Sequence, residues 1–148
     1  MEKHYIMSSK DIKYFFIHCS GTRRNDDCTA EQLYKNHKAR GIRGIGYHFY
    51  IHKDGTMTQH HMLLEASSHN TPFSHCSIAI CYEGGLNEHG EAENTLTNNQ
   101  YERICDLLAE LHQLFPKAMV VGHRDLPCCT YPTECPSLNA KEVFGKVF

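Results

Sequence analysis

Residues 122–137 read GHRDLPCCTYPTECPS and directly follow a short apolar run. This order places the imidazole of His123 where a buried strand should end, and it brings back a thiol, Cys135, after a loop that prolines restrict. A second imidazole is available in His18, near the end of the first apolar run, residues 14–20. Two histidines and one cysteine suit zinc, and three protein ligands leave a fourth position for water, as in catalytic zinc sites.

Each of these residues also has an ordinary structural interpretation. His18 taken alone is more typical of a buried, hydrogen-bonded histidine at a strand end, and His123 of a loop residue. Their joint placement with Cys135 is what favours a metal site. Arg124 and Asp125 are expected either to orient His123 or only to close the turn that carries it. The other histidines considered are interpreted as surface or core residues: His48, His52, His60, His61, His75, His89 and His112.

The length of 148 residues fits one domain, 1–148, with residues 1–12 as an N-terminal extension. The formal net charge of −2 provides no large field of one sign, so nucleic acid is not expected as a partner. No apolar run reaches the length of a membrane span, and the first ten residues lack the apolar segment of a secretory signal. We therefore expect a monomer that is cytoplasmic as synthesised and has no membrane partner.

The eight cysteines are expected to be reduced thiols in that setting, with one of them binding metal. Those within apolar patterns are interpreted as small buried residues: Cys19, Cys76, Cys81 and Cys105. Three others fall in predicted loops and could form a disulfide under oxidising conditions: Cys28, Cys128 and Cys129. The sequence leaves that pairing open.

Alternation of apolar runs with amphipathic stretches predicts an α/β fold, a single domain with a central mixed β-sheet flanked by helices. Strands are predicted over residues 14–19, 46–53, 56–59, 77–82 and 118–121. Helices are predicted over residues 29–40 and 97–115, with a short terminal helix or tail over 139–148. Residues 23–28 and 86–96 are polar and are predicted to be loops.

Local signals support these elements. Thr29 with Gln32, and Thr97 with Gln100, have the spacing of a capping box at a helix start. The dipeptide 54–55, Asp-Gly, predicts a two-residue hairpin loop. The second helix carries an apolar stripe that is expected to face the core: Ile104, Leu107, Leu108, Leu111, Leu114 and Phe115.

Several short motifs resemble those of one known family. They are IHCSGT at 17–22, GYHF at 46–49, SH at 68–69, GHRD at 122–125 and CPS at 135–137. In order and approximate spacing they resemble the zinc-dependent N-acetylmuramoyl-L-alanine amidases, which include phage-type amidase lysozymes and the animal peptidoglycan recognition proteins. Each motif alone is weak evidence, but together they are specific, and they span the chain from about residue 13 to residue 144.

The resemblance implies hydrolysis of the amide that joins the lactyl group of N-acetylmuramic acid to the first L-alanine of the peptidoglycan stem peptide. It implies one zinc ion with the ligands His18, His123 and Cys135. It also implies that Tyr47 lies beside the metal and that the substrate groove is lined by Ser68 and His69. The Tyr47 hydroxyl can donate a hydrogen bond to the developing oxyanion or orient the attacking water, although a strand tyrosine can also be ordinary packing.

Two further candidates precede the cysteine ligand. Thr133 stands where some phage members of the family have a lysine, and a threonine hydroxyl can donate a hydrogen bond but adds no positive charge. Glu134 is a candidate general base, or a residue that simply faces solvent. The tetrapeptide at 133–136, Thr-Glu-Cys-Pro, looks more like the catalytic animal recognition proteins.

Two alternatives to a lytic amidase follow from the same resemblance. The first is a non-catalytic peptidoglycan-binding module, although such relatives typically lack the cysteine that Cys135 provides here. The second is an amidase that also binds and inhibits a phage RNA polymerase, for which residues 1–12 show no motif. Without a secretory signal, the enzyme is expected to reach the cell wall after lysis-linked release or export by another system.

Overall fold

The computed structural model describes residues 6–39, 45–66, 73–125 and 134–147. The strands in these ranges are β1 (Tyr14–Cys19), β2 (Thr22–Arg23), β3 (Phe49–Ile51), β4 (Met57–Gln59), β5 (Ser77–Tyr82), β6 (Gly85–Leu86) and β7 (Met119–Gly122). The α-helices are α1 (Ala30–Ala39), α2 (Asn98–Leu114) and α3 (Ala140–Phe144).

Five of the described strands form the main sheet, in the order β4-β3-β5-β1-β7. The pairs β3–β5, β5–β1 and β1–β7 are parallel, and only the hairpin pair β3–β4 is antiparallel. The predicted mixed sheet with helices packed on it is therefore confirmed. A single domain over the whole range 1–148 stays a prediction.

Successive side chains of the interior strand β1 face the two sides of the sheet in alternation. Phe15 and Ile17 belong to the largest core cluster, which α2 and α3 complete through Ile104 and Phe144. His18 points to the opposite face, where its register partner on β5 is Cys81. Cys81 packs there with residues of α1, and one face of the sheet therefore combines helix α1 with the side chain of His18.

Both predicted capping boxes are present. The Gln32 amide donates to Thr29 Oγ1 over 3.1 Å and the Thr29 amide donates to Gln32 Oε1 over 2.9 Å, which starts α1. Thr97 and Gln100 make the same pair of bonds at the start of α2, with lengths of 3.1 and 2.9 Å. These bonds satisfy amides that have no partner within the helix.

The apolar stripe of α2 is buried except at its end. Leu114 is 58% exposed, so its predicted place in the core is wrong. At 100° per residue, Leu114 lies about 80° from the centre of the stripe, which runs through Leu108, Leu111 and Phe115. In the last turn of the helix, that offset leaves its side chain in solvent.

The predicted hairpin between β3 and β4 forms, but with a longer loop. The His52 amide donates to Thr56 O over 2.8 Å and the Gly55 amide donates to His52 O over 2.9 Å, so three residues rather than two form the loop. Gly55 has φ of 90°, which fits the glycine position of a three-residue hairpin loop with a bulge. A Cβ at this glycine would lie 2.9 Å from Asn99 O, because the loop packs against the start of α2.

A small second sheet lies in segments predicted to be loops. Strands β2 and β6 pair in parallel, with Thr22 opposite Gly85. Gly85 has φ of 103°, and a Cβ there would lie 2.5 Å from the Cys19 sulfur. The glycine therefore lets β6 approach the end of β1, beside the site described below.

The described cysteines are free thiols. Cys19 and Cys81 are buried as predicted, whereas Cys76 and Cys105 are only partly buried. Cys28 is also buried and carries a free thiol, whereas Cys128 and Cys129 lie outside the described residues, so a disulfide between those two stays a prediction. Over the part of the chain that the structure describes, no helix is both long enough and apolar enough to cross a bilayer.

Candidate functional site

His18 lies at the carboxyl end of β1, which pairs in parallel with β5 on one side and with β7 on the other. Its side chain is buried, and its ring stacks on Phe16, two residues earlier on the same face, with centroids 5.8 Å apart and 21° between the planes. Ligand sites of open α/β sheets lie at the carboxyl ends of parallel strands. The position of His18 is therefore the one that the sequence predicted.

His123 comes next to His18 because β7 pairs in parallel with β1. β7 ends at Gly122, and a 3₁₀ turn over His123–Asp125 follows. The ring centroids of His18 and His123 are 4.9 Å apart. Asp125 Oδ2 accepts the Gly122 amide over 2.7 Å, so this carboxylate closes the turn, which is one of the two roles considered for it.

Cys135 approaches from the segment that follows the undescribed residues. Its sulfur lies 3.8 Å from His18 Nδ1 and accepts the Cys19 amide over 3.3 Å. Two bonds hold the segment: the Arg124 amide donates to Cys135 O over 2.9 Å, and the Tyr82 hydroxyl donates to the carbonyl of residue 136 over 2.5 Å. The segment is thus tied to the turn that carries His123 and to β5.

Gly122 is needed for this close approach. A Cβ at Gly122 would lie 2.8 Å from Pro136 Cδ and 3.2 Å from Asp125 Oδ2. Any side chain here would push apart the two segments that carry His123 and Cys135. The glycine at the start of the GHRD motif therefore has a packing reason independent of its backbone angles.

The three predicted metal ligands converge. One ligand atom from each of His18, His123 and Cys135 lies within 4.8 Å of the others. Tetrahedral zinc with bonds of roughly 2.0–2.3 Å to nitrogen and sulfur needs ligand atoms separated by about 3.3–3.8 Å. The three ligand atoms would have to move slightly closer together to reach these separations. Their donor set of two imidazoles and one thiolate suits zinc.

The ionisation of Cys135 depends on its surroundings. The side-chain contact with Cys19, and then burial, raise the pKa of the Cys135 thiol well above its usual value when no cation is present. The thiolate is the form that ligates metals. A dication at this position would therefore displace a proton from the thiol as it binds.

Tyr47 lies against the ligand cluster. Its buried ring is in contact with the rings of His18 and His37, at centroid distances of 5.0 and 5.1 Å. Burial raises the pKa of the thiol of Cys81, the β5 neighbour of His18, well above its usual value, and the nearby Tyr47 side chain opposes that rise.

The buried histidine His37 was missed by the sequence reasoning. It lies on α1, one helical turn after the buried Leu33, and that spacing of four was the available signal. A lone histidine on the inner face of a helix is more often a core residue than part of a site. Only the structure shows that its ring meets Tyr47.

The remaining predicted site residues are less well defined. The Glu134 side chain is 75% exposed, and its Oε2 lies 3.8 Å from Arg124 Nη1. Thr133, Ser68 and His69 lie outside the described residues. Their roles, like a catalytic role for Glu134, stay predictions.

A His-His-Cys cluster in contact with a tyrosine, at the carboxyl edge of a mixed sheet, has the composition of a metal-dependent hydrolase site. The N-acetylmuramoyl-L-alanine amidase family matches residues 8–137 of this sequence. The chain belongs to that family, as its motifs predicted.

Individual relatives agree with this assignment. The endolysin of Enterobacteria phage K11 is 31% identical over 139 residues, which cover 94% of this chain and 89% of the relative. The amidase endolysin LysCS from Clostridium intestinale URNW superimposes with a TM-score of 0.75 at 26% identity, over 99% of this chain and 91% of the other. Bumblebee PGRP-SA has the same fold, with a TM-score of 0.75 at 17% identity over 98% and 86% of the two chains.

Proposed function

We propose that this chain is a zinc-dependent N-acetylmuramoyl-L-alanine amidase that acts as a phage-type endolysin. It hydrolyses the amide between N-acetylmuramic acid and L-alanine in peptidoglycan, and it acts as a monomer. The observation that carries the proposal is the convergence of three ligand atoms within 4.8 Å on a chain of the amidase family. The similarity to an endolysin supports the cell wall as the target.

The zinc ligands would be His18, His123 and Cys135. When bound there, zinc supplies a Lewis acid that polarises the amide carbonyl and lowers the pKa of water. The protein holds the ligands in place from outside the cluster: Phe16 stacks on the ring of His18, and the Cys19 amide donates to the sulfur of Cys135. Such outer contacts fix ligand orientation and moderate the charge on the thiolate.

Tyr47 would stabilise the transition state. Because its ring packs against His18, the side chain is next to the place where the scissile carbonyl must lie. A phenol hydroxyl can donate one hydrogen bond to the oxygen as negative charge develops on it. Thr133 would donate a second, uncharged hydrogen bond, and the groove would be lined by Ser68 and His69.

Glu134 is the candidate general base, and its carboxylate would take a proton from the attacking water, which is the proton that the leaving amine must finally receive. Its carboxylate is exposed and pairs with Arg124, so it would have to leave this partner to reach a substrate. A Glu134→Gln variant with unchanged turnover would assign the proton transfer to another group.

The direct test is digestion of purified peptidoglycan with metal-loaded protein, with and without prior chelation, followed by mass spectrometry of the new ends. We expect stem peptides with free L-alanine amino termini, released only in the presence of metal. Tight binding to the wall without new ends would overturn the enzyme proposal and favour a recognition module. Release that survives chelation would overturn the zinc dependence.

Cys135→Ser is the matching variant, because the hydroxyl is a much poorer zinc ligand than the thiolate. We expect the loss of bound zinc and a fall in turnover of at least 100-fold, with the fold retained. Cys105→Ser is the control, since Cys105 is also a partly buried free thiol but lies on α2, outside the cluster. Equal zinc content in the two variants would remove Cys135 from the ligand set.

A further inference from the structure

The backbone that leads into Tyr47 is held by two histidine side chains from different parts of the chain. The Gly46 amide donates to Nδ1 of His37, on α1, over 2.9 Å. The Ile45 carbonyl accepts from Nε2 of His61, which follows β4, over 2.6 Å. Each of these two adjacent residues is thus held by one hydrogen bond, in which Gly46 provides the donor and Ile45 the acceptor.

The His61 ring is itself fixed on its other side. Its Nδ1 lies 2.7 Å from Oε1 of Glu65, and the two side chains are only 11% and 21% exposed. Both partners of the ring, a carbonyl and a carboxylate, are acceptors, and the ring lies between them within hydrogen-bond distance of each.

The chain after Tyr47 is held as well. The His48 amide donates to Ala79 O over 2.9 Å. The His48 ring accepts the Ala79 amide at Nδ1 over 3.0 Å and contacts Glu65 O through Nε2 over 2.7 Å. This side of Tyr47 is therefore anchored to the main sheet, and within the described residues the preceding side is held by His37 and His61.

We propose that His37 and His61 are positioning residues for the amidase reaction, which hold residues 45–46 so that Tyr47 keeps its place beside His18. The inference rests on the function proposed above. His37 acts in two ways, since its Nδ1 holds the Gly46 amide and its ring meets the ring of Tyr47 edge-on at 66°. His61 holds Ile45 O, and its ring also meets the ring of His48 with centroids 5.8 Å apart.

This arrangement predicts a specific kinetic signature. Loosening residues 45–46 should displace the Tyr47 hydroxyl without touching any of the three metal ligands. Since a displacement of about 1 Å can cost on the order of 100-fold in rate, we expect kcat to fall by roughly 10- to 100-fold. KM and zinc content should change by less than about twofold, because they depend on other contacts.

Matched variants separate positioning from general destabilisation. His61→Gln keeps a donor near the position of Nε2, and His37→Asn keeps an acceptor near the position of Nδ1, whereas His61→Leu and His37→Leu keep neither. We expect the polar variants to recover most of the kcat that the leucine variants lose. His89→Leu is the control, because His89 is exposed in the loop after β6.

A double-mutant cycle with Tyr47→Phe tests whether the effect passes through Tyr47. If it does, His61→Leu and His37→Leu will cause little further loss of kcat in the Tyr47→Phe background. Losses that multiply, or losses accompanied by release of zinc, would overturn the proposal. So would an unchanged kcat in both leucine variants.

A structural readout keeps the test independent of turnover. Nuclear Overhauser contacts between the ring protons of Tyr47 and His18 should weaken in His61→Leu and return in His61→Gln. Contacts that persist in His61→Leu would overturn the proposal, whether or not the protein cleaves peptidoglycan. Absence of turnover in the parent protein would instead overturn the proposed function, and the two failures are therefore distinguishable.

Discussion

His48 links the acidity of the solvent to the stability of the fold. Its ring is fully buried and its Nδ1 accepts the Ala79 amide, so the proton of the neutral ring lies on Nε2, which donates to Glu65 O. Burial is the largest of the effects that lower the pKa of His48 to about 4, from 6.5 for a free histidine. Protonation would also remove the acceptor for the Ala79 amide.

This shift predicts that the protein loses stability in mild acid. Below pH 6.5 the unfolded chain binds a proton at His48 while the folded chain does not, so the stabilisation is complete above about pH 6.5 and is lost as the pH falls toward 4. The shift corresponds to about 3 kcal/mol in the free energy of unfolding. Urea unfolding between pH 7 and pH 4.5 measures it.

The comparison needs two variants, because carboxylates also titrate near the lower end of this range. His48→Asn removes the titrating group and should show a flatter pH dependence than the parent between pH 6.5 and 4.5. His89→Asn, at an exposed histidine, should follow the parent. Equal slopes for His48→Asn and the parent would contradict the assignment.

Single residues were predictable where a motif carried them. His18, His123 and Cys135 were found because donor types, strand ends and the family motifs agree on them. No functional role was predicted for His37, His48 and His61, because their partners are backbone groups of Gly46, Ala79 and Ile45. Such partners come together only through tertiary structure, and no local pattern indicates them.

At the scale of secondary structure, the start of α2 also anchors the β3–β4 hairpin. Thr97 Oγ1 accepts the Gln100 amide over 3.1 Å and donates to Lys53 O, in the hairpin loop, over 2.6 Å. Thr29, at the start of α1, makes the same local pair of bonds with Gln32. The two caps therefore form a natural comparison.

We expect Thr97→Ala to cost about 2 kcal/mol in the free energy of unfolding and Thr29→Ala about 1 kcal/mol. Loss of a threonine cap typically costs about 1 kcal/mol, and the bond to Lys53 O adds about 1 kcal/mol more. Denaturant unfolding of both variants provides the measurement. Equal costs would show that the bond between helix and hairpin adds nothing to stability.

The limits of elements were predictable where a local signal marks them, whereas the strand predicted over residues 46–53 is shorter and covers only Phe49–Ile51. β1 and β5 are continuous apolar runs and both capping boxes are local signals, so their limits were predicted to within a residue or two. Strands of two residues, such as β2 and β6, are too short to show any periodicity. The third residue of the hairpin loop depends on how Gly55 packs against Asn99, which is again a tertiary effect.

At the scale of the whole molecule, zinc binding should stabilise the fold. A ligand that binds only the native state adds about 2.7 kcal/mol when its free concentration is 100 times Kd. We expect chelation to lower Tm by several degrees and added zinc to restore it. Cys135→Ser should be insensitive to both treatments, and an equal response in that variant would contradict binding at this cluster.

The overall architecture followed from the alternation of elements, and the order of strands did not. Apolar runs separated by amphipathic helices indicate a mixed sheet, but they do not state that β1 lies between β5 and β7. The pairing of β7 with β1 determines where the site forms, because it brings His123 next to His18. The sequence predicted the pairing of these ligands through the donor chemistry and the resemblance, not through the sheet.

The placement of β1 between β5 and β7 also has a consequence for biosynthesis. His18, on β1, is synthesised well before the other two residues of the cluster and is separated from Cys135 by 117 positions. The cluster is therefore complete only after β7 has paired with β1 and the segment that carries Cys135 has followed. A cation that needs all three side chains would bind only after these late segments have been made and have docked.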